Sequence, residues 1–245
     1  MESRRLNVRA VICDVYQTLL EVGPPPADAA ARWRALWRRT FGHRPPWSLL
    51  EFATACNRVI AREHAAARAC GIAFPEVWWP AVVAKVLPAW RSLAPARQAA
   101  FIAAHMQLGR SLRLMPGAAM ALRALAGAHL ALGLASNAQA YTWGELDKAL
   151  RGAGLKPDLF APDLCFWSCQ HGFSKPDPHV FRLLTARLAA RGIGPAETLM
   201  VGDREDNDLT PARAQGWQTW RLGSADEPAG PGGDWPALVR WLGLA

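Results

Sequence analysis

Three short apolar segments, each followed by a helix-like stretch, constrain the fold of this sequence most strongly. Residues 8–14 are VRAVICD, residues 130–136 are LALGLAS, and residues 198–203 are TLMVGD. Short apolar runs of this kind are typical of strands buried on both faces, and their alternation with helices is typical of a parallel sheet. The sequence therefore predicts an α/β protein with a Rossmann-like parallel sheet.

Each of the three segments ends in a polar residue, namely Asp14, Ser136 and Asp203. In an open parallel sheet the ligand crevice lies at the carboxyl ends of the strands. We therefore expect these three side chains to meet at one edge of the sheet and to belong to a functional site.

The region between the first two segments has a different pattern. In residues 20–115, Ala, Arg, Leu and Trp recur at helical spacing and are interrupted by prolines. This pattern predicts a bundle of about four helices inserted after the first strand. The predicted division is a core of residues 1–19 and 116–245 and an inserted helical domain of residues 20–115.

Composition and charge restrict the class of partner. The 245 residues are 51% hydrophobic, and the formal net charge is +8. The basic residues near Trp33, Leu36, Trp37 and Phe41 alternate with these apolar side chains, as expected for an amphipathic helix. No nucleic-acid-binding motif accompanies the charge, so we expect no nucleic-acid partner, and the basic surface favours a small anionic substrate.

The sequence also indicates a compartment. No apolar run approaches the roughly 20 residues needed to span a bilayer, and the N-terminal segment MESRRLNVRAVICD lacks the features of a signal peptide. The five cysteines are an odd number and form no C-x-x-C pair, which favours neither disulfides nor a zinc site. We expect a cytoplasmic protein without a membrane partner, either a monomer or a homodimer.

Four fragments follow one another in a specific order. They are CDVYQT (residues 13–18), LASNAQ (134–139), FSKPDPHVF (173–181) and VGDREDND (201–208). Together they resemble the four sequence motifs of the haloacid dehalogenase (HAD) superfamily, and the predicted helical insertion lies where that superfamily carries its C1-type cap. The resemblance covers essentially the whole chain, and it implies a hydrolase with a HAD core and a helical cap.

The resemblance implies a role for four of the motif residues. Asp14 would be the nucleophile, because a carboxylate can form a covalent aspartyl intermediate that divides one difficult displacement into two easier steps. Ser136 and Asn137 would donate hydrogen bonds to an anionic group of the substrate. Lys175 would neutralise the charge shared by the nucleophile and the substrate.

The resemblance also implies a magnesium site. Asp14 and Asp203 would each provide a hard oxygen ligand, and the backbone carbonyl of Tyr16 would provide a third. Asp208 is a second acid of the fourth motif, expected at the metal site or in contact with the catalytic lysine. Thr18 completes the first motif and is a further candidate catalytic residue. Mg²⁺ is therefore the expected cofactor.

The first motif departs from that of the phosphatases in this superfamily. Phosphatases carry an aspartate two residues after the nucleophile, where this sequence has Tyr16, and a glycine where it has Gln17. A phenol with an ordinary pKa of about 10 is poorly suited to exchange protons at neutral pH. General acid–base catalysis is typically worth about 10² to 10⁴ in rate, so we expect slow hydrolysis of unactivated phosphate esters.

The L-2-haloacid dehalogenases of the superfamily carry Asp-x-Tyr-x-Thr, which fits CDVYQT better. They also have an arginine in a Leu-Trp-Arg string of the first cap helix that accepts the halide, and Leu36-Trp37-Arg38 is similar. Packing of that string in the cap is an equally good interpretation of it. Dehalogenases need no metal, however, and their fourth motif lacks the Gly-Asp pair present at residues 202–203.

Three interpretations therefore stay open. The favoured one is a magnesium-dependent phosphatase that acts on a small phosphorylated metabolite. The second is a metal-independent L-2-haloacid dehalogenase, for which Arg38 would bind the substrate. The third is a catalytically weakened HAD-fold protein retained for binding or regulation, for which the loss of the second acid is the evidence.

Overall fold

The strands of the described part of the chain form one large sheet and one small one. The computed structural model describes residues 7–223 and 230–244. The large sheet has six strands in the order β5-β4-β1-β6-β7-β8, and each neighbouring pair in it is parallel. This confirms the predicted α/β fold with a Rossmann-like parallel sheet. In chain order the strands are β1 (Ala10–Cys13), β2 (Leu20–Gly23), β3 (Ser111–Leu114), β4 (Ala131–Ser136), β5 (Cys165–Trp167), β6 (Thr198–Gly202), β7 (Gln218–Leu222) and β8 (Gly232–Gly233).

Helices cover both faces of the large sheet. The central strand β1 is fully buried, and its side chains enter two hydrophobic clusters alternately, Val11 and Cys13 in one and Ala10 and Ile12 in the other. Helices α5, α6 and α9 contribute to the first cluster, and α7 and α8 to the second. The helices are α1 (Ala29–Phe41), α2 (Leu49–Ala69), α3 (Trp79–Val86), α4 (Pro95–Met106), α5 (Ala118–Gly127), α6 (Ala140–Gly152), α7 (Pro178–Ala189), α8 (Thr210–Arg213) and α9 (Trp235–Trp241).

The register of the sheet brings three strand ends together. Strand β1 lies between β4 and β6, and Cys13 is opposite Leu134 on one side and Val201 on the other. Asp14 follows β1 directly, and its backbone N–H donates to the carbonyl of Val201 at 2.9 Å. Ser136 ends β4, so the carboxyl edge of the sheet carries polar side chains from neighbouring strands.

The inserted region contains strands as well as helices. Helices α1 to α4 pack around their own hydrophobic cluster, in which Trp33, Trp37, Phe52 and Phe101 are the largest buried side chains. Strands β2 and β3 pair antiparallel where the chain leaves and re-enters the core. The predicted insertion at 20–115 thus begins and ends in short strands that helical periodicity did not reveal. The division into two domains at those residues stays a prediction.

Some residues covered by the sequence predictions lie outside the described ranges. Residues 1–6, which begin the segment that lacks signal-peptide features, lie outside the described residues, as do residues 224–229 and 245 of the predicted core. Within the ranges that the structure describes, every helix is too short or too polar to span a bilayer.

His105 of α4 is buried among aromatic rings of the inserted region. Its ring stacks on those of Trp79 and Phe101, with interplanar angles of 10° and 7°. Burial lowers the pKa of His105 from 6.5 to about 4. An unfolded chain therefore binds a proton at this histidine at a higher pH than the folded chain does. The contribution of neutral His105 to stability is complete above the unfolded pKa and is lost as the pH falls from about 6.5 to about 4.

We expect this loss to appear as a difference between the wild type and His105→Leu. The free energy of unfolding of the wild type should fall by about 1 kcal/mol more per pH unit than that of the variant between about pH 6 and pH 4.5. Urea denaturation at three pH values across this window measures it. The same pH dependence in both proteins would contradict the prediction.

Candidate active site

Lys175 joins two carboxylates at the carboxyl edge of the sheet. Its Nζ lies 2.6 Å from Oδ1 of Asp14 and 2.5 Å from Oδ1 of Asp208. The side chains of Lys175 and Asp208 are 0% and 1% exposed, and that of Asp14 is 11% exposed. Asp14 and Lys175 are thus close enough to act on one ligand, and Asp14 is the member of the group that solvent can reach.

Burial and charge act on these groups in opposite directions. Burial raises the pKa of Asp14 to about 6; the Lys175 ammonium opposes this shift, and the Asp208 carboxylate adds to it. Burial alone would lower the pKa of Lys175, but the two carboxylates outweigh it and raise that pKa above its ordinary value. Lys175 therefore stays protonated at neutral pH. Asp14 is ionised there, yet it is more basic than an ordinary aspartate, which favours a nucleophilic role.

A third carboxylate completes an acidic cluster of Asp14, Asp203 and Asp208. One oxygen from each residue lies within 4.8 Å of the others. Burial raises the pKa of Asp203, and the charge of Asp208 adds to this shift. Thr18 Oγ1 donates to Asp203 Oδ1 at 3.3 Å. Three hard anionic oxygens this close together fit a magnesium ion, which prefers carboxylates and water as ligands. The position of the Tyr16 carbonyl as a further ligand stays a prediction.

Local backbone structure explains how Asp208 reaches the cluster. The chain turns after β6 into one π-helical turn, Glu205–Leu209, a form that occurs frequently at functional sites. This turn brings the Asp208 carboxylate back against Gly202, where a Cβ atom would lie 2.5 Å from Oδ2. The backbone N–H of Arg204 donates to the same oxygen at 3.2 Å. The glycine of the Gly-Asp pair is therefore required by close packing.

Ser136 and Asn137 are used in different ways. The Ser136 hydroxyl is buried and has no hydrogen-bond partner among the described residues, so it is available to donate to a ligand. Asn137 instead binds the backbone of Lys175: its Oδ1 accepts from Lys175 N at 2.7 Å, and its Nδ2 donates to Lys175 O at 2.9 Å. Asn137 thus positions the lysine, and its hydrogen bond to the substrate stays a prediction.

The phenol of Tyr16 lies in a polar cluster that the sequence did not predict. Its oxygen lies 2.6 Å from Glu145 Oε2, 2.8 Å from Thr142 Oγ1 and 2.7 Å from Arg110 Nη2. The Arg110 guanidinium also lies 4.3 Å from the centre of the Tyr16 ring and forms an ion pair with Glu145 at 2.8 Å. Helix α6 contributes Thr142 and Glu145, and Arg110 directly precedes β3. We call these four residues the Tyr16 cluster.

The hydrogen-bonding capacity of the Tyr16 phenol is used up within this cluster. A phenol has one donor and two acceptor positions. Tyr16 donates to Glu145 and accepts from Arg110 and from Thr142, whose own oxygen accepts from Gln139 N. Burial also raises the pKa of Tyr16 well above its ordinary value, opposed by Arg110 and aided by Glu145. Tyr16 is therefore held as a structural element and does not exchange protons at neutral pH.

Three further residues of the sequence motifs have clear positions in the structure. Arg38 is exposed on α1, whereas its neighbours Leu36 and Trp37 are buried in the hydrophobic cluster of helices α1 to α4. Packing thus accounts for those two residues of the Leu-Trp-Arg string, and binding of substrate by Arg38 stays a prediction. Gln17 has a φ of 60°, the left-handed conformation that suits the family's glycine. Asp206 is exposed, and its carboxylate is paired with Arg204 at 2.7 Å, outside the acidic cluster.

The site is thus a lysine-bound aspartate and an acidic cluster at the carboxyl edge of a parallel sheet. The sequence model of the haloacid dehalogenase-like hydrolases matches residues 8–216, and the chain belongs to this family. The resemblance of the four motifs and the predicted hydrolase class are thereby confirmed. None of the curated proteins matches the sequence.

Solved structures with the same fold include both kinds of enzyme. The chain is similar to a 2-haloacid dehalogenase from Pseudomonas syringae pv. Tomato DC3000 (TM-score 0.57, 19% identity, 96% and 99% of the two chains covered). It is also similar to a HAD phosphatase from Thermococcus onnurineus (TM-score 0.56, 19% identity, 96% and 98% of the two chains covered). A third similar structure is a magnesium-bound HAD hydrolase from Bacillus subtilis (TM-score 0.53, 19% identity, 96% and 98% of the two chains covered). At these identities the likeness concerns the fold, and the substrate has to be argued from the site.

Proposed function

We propose that this protein is a magnesium-dependent phosphohydrolase that acts on a small phosphorylated metabolite. The observation that carries this proposal is the acidic cluster of Asp14, Asp203 and Asp208, with oxygens within 4.8 Å of one another. With all three acids ionised, Lys175 offsets one of the three negative charges. Such a site repels an anionic substrate, whereas a divalent cation neutralises it and attracts phosphate oxygens.

Asp14 is the group positioned to react. Lys175 holds Oδ1 of Asp14, and Oδ2 has no hydrogen-bond partner among the described residues. A carboxylate oxygen attacks phosphorus as the bond to the leaving oxygen breaks, and water then hydrolyses the acyl phosphate on Asp14 to release phosphate. Ser136 donates to a phosphoryl oxygen, and Lys175 offsets the charge at the nucleophile. Mg²⁺ bound at the acidic cluster would add charge neutralisation as a Lewis acid.

The Tyr16 cluster restricts the leaving group. Tyr16 takes the position at which the family's phosphatases carry their proton donor, but its phenol donates to Glu145 and has no proton to offer. The leaving oxygen must therefore depart without help from this residue. We infer a substrate whose leaving group is already acidic, such as an acyl, enol or aryl phosphate.

Removing one ligand of the acidic cluster tests the metal site. Asp203→Asn should lower magnesium-dependent phosphate release by about 10² to 10³, because charge neutralisation by a bound metal is worth several kcal/mol. The matched control is Asp206→Asn, an exposed acid three residues further along the same loop, which should retain wild-type activity. Equal losses in both variants, or wild-type activity of Asp203→Asn in the presence of a chelator, would contradict the metal site.

A metal-independent haloacid dehalogenase is the second candidate. The observation that favours it is Tyr16 itself, since displacement of a halide needs no proton donor and the Arg110 guanidinium lies beside the phenol at 2.7 Å. An assay of phosphate and halide release over a broad substrate panel, with magnesium and with chelator, separates the two. Magnesium-dependent phosphate release supports the phosphohydrolase, and chelator-resistant halide release supports the dehalogenase.

A further inference from the structure

A cleft of about 810 Å³ lies between the inserted region and helix α6 of the core. Arg110 and strand β3 form one side of it, and the face of α6 that carries Tyr141, Glu145 and Lys148 forms the other. Lys175 and the three residues of the acidic cluster are absent from its lining. Pockets of about 300 to 1,000 Å³ are typical of small-molecule sites. The cleft is therefore large enough for a ligand of its own.

The lining of the cleft has an excess of positive charge. Among the residues that the structure describes, it includes Arg32, Arg110, Arg113 and Lys148 but a single acid, Glu145, which is already paired with Arg110. Arg32 and Arg113 each pair with an acid outside the lining. Lys148 is exposed and forms no ion pair within the described part of the chain. Lys148 thus offers an uncompensated charge to an anion, in the same cleft as the guanidinium of Arg110.

Most of the remaining lining is small and apolar. Leu112, Leu114 and Ala149 face the cleft, together with Gly144 and Gly152 of α6. A Cβ atom added at Gly144 would meet nothing within 4 Å, so this glycine borders open space although glycine destabilises a helix interior. The cleft thus combines an apolar floor with cations, which suits a molecule that has an apolar body and an anionic group.

We propose that this cleft binds a small molecule that carries a carboxylate or phosphate on an apolar body. Lys148 and Arg110 would hold the anionic group. Arg110 also donates to the Tyr16 phenol at 2.7 Å, and Tyr16 lies two residues after Asp14. A ligand bound here therefore competes for the guanidinium that holds Tyr16, and its binding is coupled to the candidate active site.

A pair of fluorescent probes tests the site by direct titration of the full chain. Dansylglycine has an apolar ring system and a carboxylate, and dansylamide has the same ring system without the charge. The wild type should bind dansylglycine about tenfold more tightly than dansylamide, because a charge-assisted contact is worth about that factor. Equal affinities, or no binding of dansylglycine, would overturn the assignment.

Two pairs of variants locate the binding site. Lys148→Ala should remove most of the tenfold preference. Lys156→Ala is the control, because Lys156 is exposed but lies outside the cleft, and it should keep the preference.

Gly144→Phe should abolish dansylglycine binding by filling the cleft. Gly127→Phe, at a helical glycine that also borders open space but lies outside the cleft, should not. The same affinity in both members of either pair would place the probe elsewhere. The exposed Lys148→Ala change decides the matter if a glycine variant fails to fold.

The pattern of inhibition distinguishes two sources of the ligand. If the cleft receives the distal part of the substrate, dansylglycine should raise KM and leave kcat unchanged. If it receives a separate effector, kcat should fall at constant KM. The binding titrations need no turnover, so their failure is distinguishable from a failure of the proposed phosphohydrolase activity.

Discussion

Asp14→Asn should lower turnover by about 10⁴ to 10⁶, the range seen when the nucleophile of a covalent mechanism is removed. An amide cannot form the acyl intermediate at Asp14, and it withdraws one negative ligand from the acidic cluster. Release of phosphate or halide, with the substrate that the panel identifies, measures the loss. Because both candidate hydrolases need this nucleophile, a wild-type rate in the variant would reject both.

The fold of this variant needs a separate check. Burial raises the pKa of Asp14 to about 6, so above that pH Asp14 is ionised at a cost to the free energy of folding, and a neutral amide does not bear this cost. Lys175 retains its contact with Asp208 at 2.5 Å. We therefore expect the Tm of Asp14→Asn to stay close to that of the wild type. A large fall in Tm would mean that the loss of activity reflects unfolding.

The central strands of the sheet could be predicted because each shows a strong local signal. Residues 8–14, 130–136 and 198–203 are apolar runs that end in a polar residue, and they form β1, β4 and β6, which lie side by side. A strand buried on both faces must be apolar throughout, so its sequence is distinctive by itself. The same reasoning placed Asp14, Ser136 and Asp203 at one edge.

Shorter strands left no such signal. Strand β5 is three residues long and β8 two, which is too short for any periodicity. Gly23 at the end of β2 and Ser111 at the start of β3 are 88 positions apart in the sequence. Strand β2 is partly buried after Leu20, and β3 alternates exposed and partly buried residues. They exist because they pair with each other, and pairing over that distance cannot be read from either segment alone.

The Tyr16 cluster shows the same limit within the candidate site. Tyr16 is 94 residues from Arg110 and 129 from Glu145 in the sequence. Arg110 follows helix α4, and Glu145 is one of two acids of helix α6, so neither residue resembles a functional motif. Their contact with the phenol depends on how the return from the cap packs against α6. The motif residues could be predicted because they follow strands directly, whereas their partners required the tertiary structure.

Tyr16→Asp should raise phosphate release from unactivated alkyl esters by up to the roughly 10² to 10⁴ that general acid–base catalysis supplies. In the wild type the phenol donates to Glu145 and gives no proton to a leaving group. An aspartate at this position restores the proton donor that the family's phosphatases carry. The gain should shrink for aryl phosphates, because an acidic leaving group departs without a proton.

Tyr16→Asn is the control that isolates the proton. Asparagine matches aspartate in size and equally removes the contacts of the phenol with Arg110, Thr142 and Glu145, but it cannot act as an acid. The ratio of the Tyr16→Asp rate to the Tyr16→Asn rate on an alkyl phosphate therefore measures proton transfer free of the damage to the Tyr16 cluster. A ratio near one would mean that position 16 has no access to the leaving group.

With 2-chloropropionate as the substrate, the ratio of the Tyr16→Asp rate to the Tyr16→Asn rate should fall below one if the protein is a dehalogenase. A second carboxylate near Asp14 repels an anionic substrate and contributes nothing to halide departure.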